Sequence, residues 1–279
     1  MTYADRAAQF RALHRAGHPL LLPNAWDHAS AAALAHSGFA AIGTTSLGVA
    51  SAAGKADATG DTREETLRLA RGLARLPALI TVDIEGGFAE RPADVAKLAA
   101  ELAAAGIVGV NIEDGRPDGT LTDTATQCEL IRAIKETVPD LFVNARTDTY
   151  WLSAGEAGET ERRAAAYQQV GADGLFVPAL QDEKTIATLV TTFDLPLNIL
   201  YAPGRLTYTH LADLGVRRVS TGSLLFRASL HAAVTTAQAV ERGGALPEGL
   251  PSYADAEALS AGYDQGADQG FSGPGGPAT

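Results

Sequence analysis

A chain of 279 residues that is 46 % apolar but only 6 % aromatic has the length for one large domain with a core of Ala, Leu, Val and Ile, and its apolar content excludes disorder as the overall state. Its 22 Lys and Arg stand against 33 Asp and Glu, a formal net charge of −11, and no basic block interrupts the acidic balance, which excludes a nucleic-acid partner. The single cysteine, Cys128, rules out an intramolecular disulfide or a cysteine zinc site, and with neither a signal-type run nor a membrane-length apolar stretch the expected compartment is the cytoplasm.

After a polar, amphipathic N-terminus, eight short apolar runs are predicted as strands. In chain order they are LLLPNAW (20–26), AAIGTTS (40–46), ALITVDIE (78–85), VGVNIED (108–114), LFVNART (141–147), GLFVPA (174–179), PLNILY (196–201) and RRVSTG (217–222). Helical patterns such as DHASAAALAHSG, REETLRLARGLARL, PADVAKLAAELAAAG and TATQCELIRAIKE separate them, several closed by Gly. Sustained alternation predicts a (β/α)8 barrel. An open doubly wound sheet is the alternative, but no GxGxxG follows the first strand. A long helix from Leu224 to Arg242 and a short one from Ala254 to Gly262 are predicted beyond the eighth strand, packed on the barrel or on a neighbouring subunit. Residues 1–265 are read as one barrel domain and 266–279 as a disordered tail.

Active sites of such barrels lie at the C-terminal strand ends, so polar residues that break the apolar runs there are the candidates. They are Asp83 and Glu85; Asn111, Glu113 and Asp114; Asn144, Arg146 and Asp148; and Asn198. Period-two alternation puts Asp83 with Glu85, Asn111 with Glu113, and Asn144 with Arg146 and Asp148 on one side of their strands. Clustered carboxylates in a cavity are costly unless neutralised, and oxygen donors without His or Cys suit Mg2+ or Mn2+. The alternative is an ion-paired set with Arg146 as counter-ion for Glu113 or Asp83. Arg146 also has the planar fork that clamps a carboxylate. The turn at Thr45, Ser46 and Leu47 offers successive N–H groups to an anion, and Gly48–Asp61 is read as a long lid-like loop carrying Asp57. GVASAAGK lacks the spacing and the Ser or Thr of a phosphate-binding loop. His14 and His18 are expected on the surface, and Cys128 on an apolar helix face.

The strings NAWD, GTTS, TVDIEGGF, VNIEDG and VNARTDTY, in this order on successive strands, resemble the isocitrate lyase / phosphoenolpyruvate mutase superfamily from about Pro23 to Arg227. The resemblance implies a (β/α)8 barrel whose extra C-terminal helices are exchanged between subunits of a homodimer or homotetramer. It implies Asp83 as the Mg2+ anchor, with Glu85 and Glu113 acting largely through metal-bound waters. Arg146 and the Thr45, Ser46 and Leu47 turn match the groups that hold the substrate carboxylate, and Asp57 matches the mobile-loop aspartate associated with catalysis. Three departures matter. Glu85 replaces a common aspartate, Pro178 stands where relatives often place His or Glu, and after Glu113 this chain reads EDGRPDGTLTD, without the catalytic cysteine of the lyases or the Lys- and Asn-bearing lid of the mutases.

The expected function is therefore a Mg2+-dependent (or Mn2+-dependent) lyase that cleaves a bond to C3 of a small 2-oxo or 2-hydroxy di- or tricarboxylic acid. Arg146 and Asp57 are the expected catalytic residues; Thr45, Ser46, Leu47, Asp83, Arg146 and Asn198 are expected to bind substrate; Asp83, Glu85 and Glu113 are expected to serve the metal. The alternatives are phosphonopyruvate hydrolase or mutase-like C–P chemistry, or a weakly catalytic 2-oxo acid binder.

Overall fold

Pro23 decides how the sheet closes. In the computed structural model, which describes residues 1–260, the first apolar run is divided at this proline into β1 (Leu20–Leu22) and β2 (Asn24–Ala25). Proline has no N–H to give a ladder, and the two halves pair with different neighbours. β2 lies on β3 (Ala41–Thr44), whereas β1 lies on β9 (Arg218–Ser220). Between them run β4 (Leu79–Asp83), β5 (Gly109–Glu113), β6 (Phe142–Arg146), β7 (Gly174–Phe176) and β8 (Leu197–Leu200). Every pairing is parallel and the order is β1-β9-β8-β7-β6-β5-β4-β3-β2. The eight predicted runs thus appear as nine strands, and continuity through Pro23 makes them a (β/α)8 barrel.

The crossover helices are α2 (His28–His36), α4 (Arg63–Leu73), α5 (Pro92–Ala104), α6 (Thr124–Thr137), α7 (Glu159–Gln169), α8 (Glu183–Thr192) and α9 (Tyr208–Asp213), with α1 (Tyr3–Leu13) before the sheet and α3 (Ser46–Ala52) between β3 and α4. Their starts follow local chemistry. Asp27, Asp123 and Asp182 accept first-turn N–H groups of α2, α6 and α8, and Pro92 occupies the first position of α5. The loop expected over Gly48–Asp61 is shorter than read, because Ser46–Ala52 is helical and only its residues 53–61 lie outside a helix.

His14 also differs from expectation: it is 3 % exposed. The helix α1 crosses the N-terminal mouth of the barrel and drives Phe10 inward, where its ring meets His14 and Phe142 edge-on, while His14 stacks on Phe142 with centroids 4.4 Å apart. Gly109 and Gly174 leave the room, since a Cβ on either would fall 3.0 Å or less from a Phe10 or Phe142 ring atom. Burial, reinforced by the Arg218 charge, holds His14 neutral with its pKa down at about 3. These rings fill the interior at that end of the barrel.

Beyond β9, α10 (Leu224–Glu241) buries only Phe226 and leaves Leu230, Val234 and Val240 more than half exposed. The second C-terminal helix, α11 (Tyr253–Ala258), starts one residue before its expected position because Ser252 and Asp255 form a capping box. The expected tail at 266–279 lies outside the described residues. Among those residues no helix is long and apolar enough to cross a membrane.

Candidate active site

At the C-terminal strand ends a cavity of about 160 Å3 is lined by Thr45, Ser46, Leu47, Asp57, Asp83, Asn111, Glu113 and Arg146, with Trp151, Phe176, Pro178 and Leu200 as an apolar wall. A larger hollow, about 480 Å3, opens at the opposite, N-terminal face around Asp173. That aspartate is already paired with Arg11 and Lys135 at 3.2 and 2.7 Å, so its charge is spent on structure.

Asp83 closes β4. Its Oδ1 accepts the Glu85 N–H at 3.0 Å, and Asn111 Nδ2 stands 3.5 Å from its Oδ2. Asn111 is itself turned by two donors to its Oδ1, Asn144 Nδ2 at 2.9 Å and Arg218 Nη2 at 3.1 Å. Arg218 is a fully buried guanidinium inside the barrel; burial pushes its pKa down to about 9 against the pull of Asp83.

Arg146, at the end of β6, is the hub of the charges. Its Nη1 meets Glu113 at 2.6 Å, and its Nε and Nη2 take both oxygens of Asp148 at 2.7 and 3.1 Å. The Phe176 ring lies 5.7 Å beneath the guanidinium carbon. Arg146 is thus the counter-ion for Glu113, as the ion-paired alternative held, and it still lines the cavity. Asp148 is fixed in turn by the carboxylate of Asp114, which accepts the Asp148 N–H at 2.8 Å and is held by Tyr167 Oη at 2.6 Å and Arg163 Nη1 at 3.0 Å. Gly115 abuts this aspartate with no side chain between them.

The acids are poorly neutralised. Burial pushes Glu113 up to about 8, with Arg146 opposing and Asp83, Asp148 and Glu85 adding to the rise. Burial likewise raises Asp83 and Glu85, although Arg146 pulls Asp83 down. An excess of oxygen donors and negative charge at one strand-end cluster fits a hard divalent cation. Among the described residues, no three His, Cys, Asp or Glu side chains converge into a direct ligand shell.

The predicted residues divide as follows. Thr45, Ser46, Leu47, Asp57, Asp83, Glu113 and Arg146 line one cavity. Thr45 caps α3, so the N–H groups of Ser46 and Leu47 are first-turn donors without intrahelical acceptors. Glu85 is not with them. β4 ends at Asp83, Glu85 takes a left-handed φ of +49°, and its carboxylate turns to the loop, accepting Gly60 N–H at 2.8 Å and Thr62 Oγ1 at 2.7 Å. Asn198 does not reach the cavity either: it is fully buried inside the barrel, and its next inward neighbour along β8, Leu200, forms the wall. Asp57 brings to the cavity a buried Oδ1 without a hydrogen-bond partner. The loop after Glu113 folds back on itself through a Gly115–Leu121 bridge and an Arg116 N–H to Thr120 O bond of 2.9 Å. It adds no thiol, and Cys128 is packed in α6.

Four residues escaped the sequence reading. Trp151 and Ser223 lie in loops without periodic signal. Asn24, inside the quoted NAWD string, accepts Thr221 and Gly222 N–H groups and donates to Thr44 O, tying β2, β3 and the end of β9 together. Arg218 had a signal, a charge at the start of a strand.

The family model for phosphoenolpyruvate phosphomutase matches residues 10–241. An uncharacterized protein of Mycobacterium tuberculosis is 44 % identical over 256 residues, 91 % of this chain and 97 % of its own. The 2-methylisocitrate lyase of Bacillus subtilis is 31 % identical over 202 residues, 69 % of this chain and 66 % of its own. Among solved structures, a Burkholderia cenocepacia protein provisionally named a lyase/mutase superposes with a TM-score of 0.84 at 31 % identity, covering 93 % of this chain and 97 % of its own. Proteins named oxaloacetate decarboxylase are similar in sequence, and one named phosphonopyruvate hydrolase shares the fold.

Proposed function

Because the chain belongs to the isocitrate lyase / phosphoenolpyruvate mutase family, we propose that it is a metal-dependent carbon–carbon lyase acting on a small 2-oxo or 2-hydroxy di- or tricarboxylic acid. The observation that carries this reading is the placement of Arg146 and the Thr45–Leu47 turn around Asp83 in one cavity of about 160 Å3, without a thiol or an imidazole among its lining residues. A divalent cation, Mg2+ or Mn2+, held by Asp83 with Glu113 alongside, would supply positive charge to the 2-oxo and carboxylate oxygens.

The chain's own groups do the rest. Arg146 and the Ser46 and Leu47 N–H groups receive the carboxylate next to the oxo group and fix its plane. The wall of Trp151, Phe176, Pro178 and Leu200 excludes water from C3. When the bond to C3 breaks, its electron pair passes into an enolate of pyruvate type, stabilised by donors already in place. Asp57, the acid at the loop side of the cavity, takes or returns the proton. Decarboxylation of an oxaloacetate-like acid needs no base at its outset, which suits a site with one loop aspartate and no cysteine.

The exposed apolar side of α10 supports a homodimer or homotetramer in which this helix packs on a neighbouring subunit, checked by light scattering on the purified chain. The reaction is tested by proton and phosphorus NMR time courses with Mg2+ and oxaloacetate, 2-methylisocitrate or phosphonopyruvate, with Asp83→Ala as control. Metal-dependent pyruvate formation from one of the first two, lost in the variant, is the expected result. Phosphate release from phosphonopyruvate, with the other acids untouched, would overturn it in favour of C–P chemistry.

A further inference from the structure

The connection 53–61 carries Asp57 and Ala58 to the cavity, yet it has little of its own to hold it there. Most of its residues are exposed, and Gly54, Ala58 and Gly60 all take left-handed conformations. Its internal bonds are local: Lys55 N–H to Ala50 O at 2.9 Å, Thr59 Oγ1 to Ala56 O at 3.2 Å, and Lys55 Nζ to Asp61 O and Glu65 at 2.7 and 2.8 Å. All of these stay within α3, the loop and α4. Among the described residues, the bonds that tie this stretch and the adjoining Thr62 to the chain just after β4 end on one side chain, Glu85, which takes Gly60 N–H on Oε2 and Thr62 Oγ1 on Oε1.

Glu85 is 3 % exposed; its bond to Thr62 is buried and strengthened by the loss of competing water, while its bond to Gly60 is partly buried. Both oxygens face the loop, and a left-handed φ, strained for a residue with a side chain, turns them there. An aspartate at this position would be shorter by one C–C bond, about 1.5 Å, and would not span to Gly60 and Thr62 together.

We propose that Glu85 is a latch and not a cation ligand: a positioning residue that seats loop 53–61 on the barrel and so delivers Asp57 to the site. The consequence for turnover rests on the reading of Asp57 given above; the latch itself does not. With the latch intact, opening the cavity on this side requires both bonds to break together, and Arg146 and the Thr45–Leu47 turn keep their geometry throughout.

The test compares Glu85→Asp and Thr62→Val with the wild-type full chain. Thr62→Val removes one tie from the loop side and leaves the carboxylate intact, so it separates loss of the latch from loss of a charge. Hydrogen–deuterium exchange over peptides spanning 53–62 needs neither cation nor substrate, and Mn2+ titration followed by electron paramagnetic resonance reads cation affinity independently of activity. Both variants are expected to speed exchange in this segment by about tenfold or more, with Mn2+ affinity within about threefold of wild type, and to lower kcat with little change in KM. Unchanged exchange in Glu85→Asp, or a tenfold loss of Mn2+ affinity with the loop still protected, would overturn the latch. Faster exchange with kcat unaltered would keep the latch and remove Asp57 from the chemistry.

Discussion

Gly115→Ala is a small change with a large expected effect on carboxylate binding. Gly115 has no left-handed φ, so alanine suits its backbone and any penalty is steric. A Cβ built there lies 3.0 Å from Asp148 Cγ and closer still to Oδ2, against the roughly 3.5 Å at which such atoms rest. Asp148 must retreat by about 0.5–1 Å, but it is 2 % exposed and held by Asp114 through its N–H and by Arg146 through both oxygens. The movement therefore passes to the Arg146 fork. Overpacking of this kind costs about 1–3 kcal/mol, which for a domain of this size lowers Tm by about 2–4 °C per kcal/mol. A misplacement near 1 Å of a substrate clamp costs up to about a hundredfold in kcat/KM. Calorimetric titration with oxalate, a carboxylate probe that does not react, together with thermal unfolding, measures both. Wild-type oxalate affinity in the variant would refute the idea that Asp148 sets the angle of Arg146.

Arg146→Lys keeps the charge but loses the fork, and is expected to weaken oxalate binding by at least tenfold in the same titration. Tyr167→Phe removes the 2.6 Å bond to Asp114 while Arg163 and the Asp148 N–H remain; urea unfolding should show a loss of about 1.5–3 kcal/mol. Glu113 is raised from its ordinary 4.5 to about 8, so between those values the folded chain holds a proton that the unfolded chain releases. Without added metal, the Glu113 contribution to stability should fall as pH rises through this window and level off above it, and it stands alone above pH 6.5, where the opposite contribution of His14 has ended. Urea titrations of Glu113→Gln should lose that slope, and a slope that survives in the variant would assign it to another group.

Much of this site was legible in the sequence because parallel strands obey a period of two. Within β5 and β6 that rule correctly grouped Asn111 with Glu113 and Asn144 with Arg146. It failed at Glu85, where β4 has ended and a left-handed residue turns the side chain away; a strand boundary one turn earlier or later reverses such a side chain, and boundaries are set by tertiary context. Asn198 followed the rule and still missed the cavity, since alternation gives the face of a strand but not the depth along the barrel. Arg218 was passed over and His14 misread for a different reason. Charge and polarity suggest solvent, yet inward glycines and the cross-lying α1 leave interior space that only long or planar side chains fill.

The divided first strand has a consequence for how the chain is made. Residues 24–25 find β3 soon after synthesis, but β1 and the Asn24 side-chain oxygen wait for residues 218–222. At about 5–20 residues per second on the ribosome, that delay is on the order of 10–40 s, during which an edge of the growing sheet stays open. The last strand to emerge closes the molecule against the first, and a nascent chain stalled before Arg218 carries Asp83, Glu113 and Arg146 but neither the last residues of the cavity wall nor the seam that holds the strands in a ring.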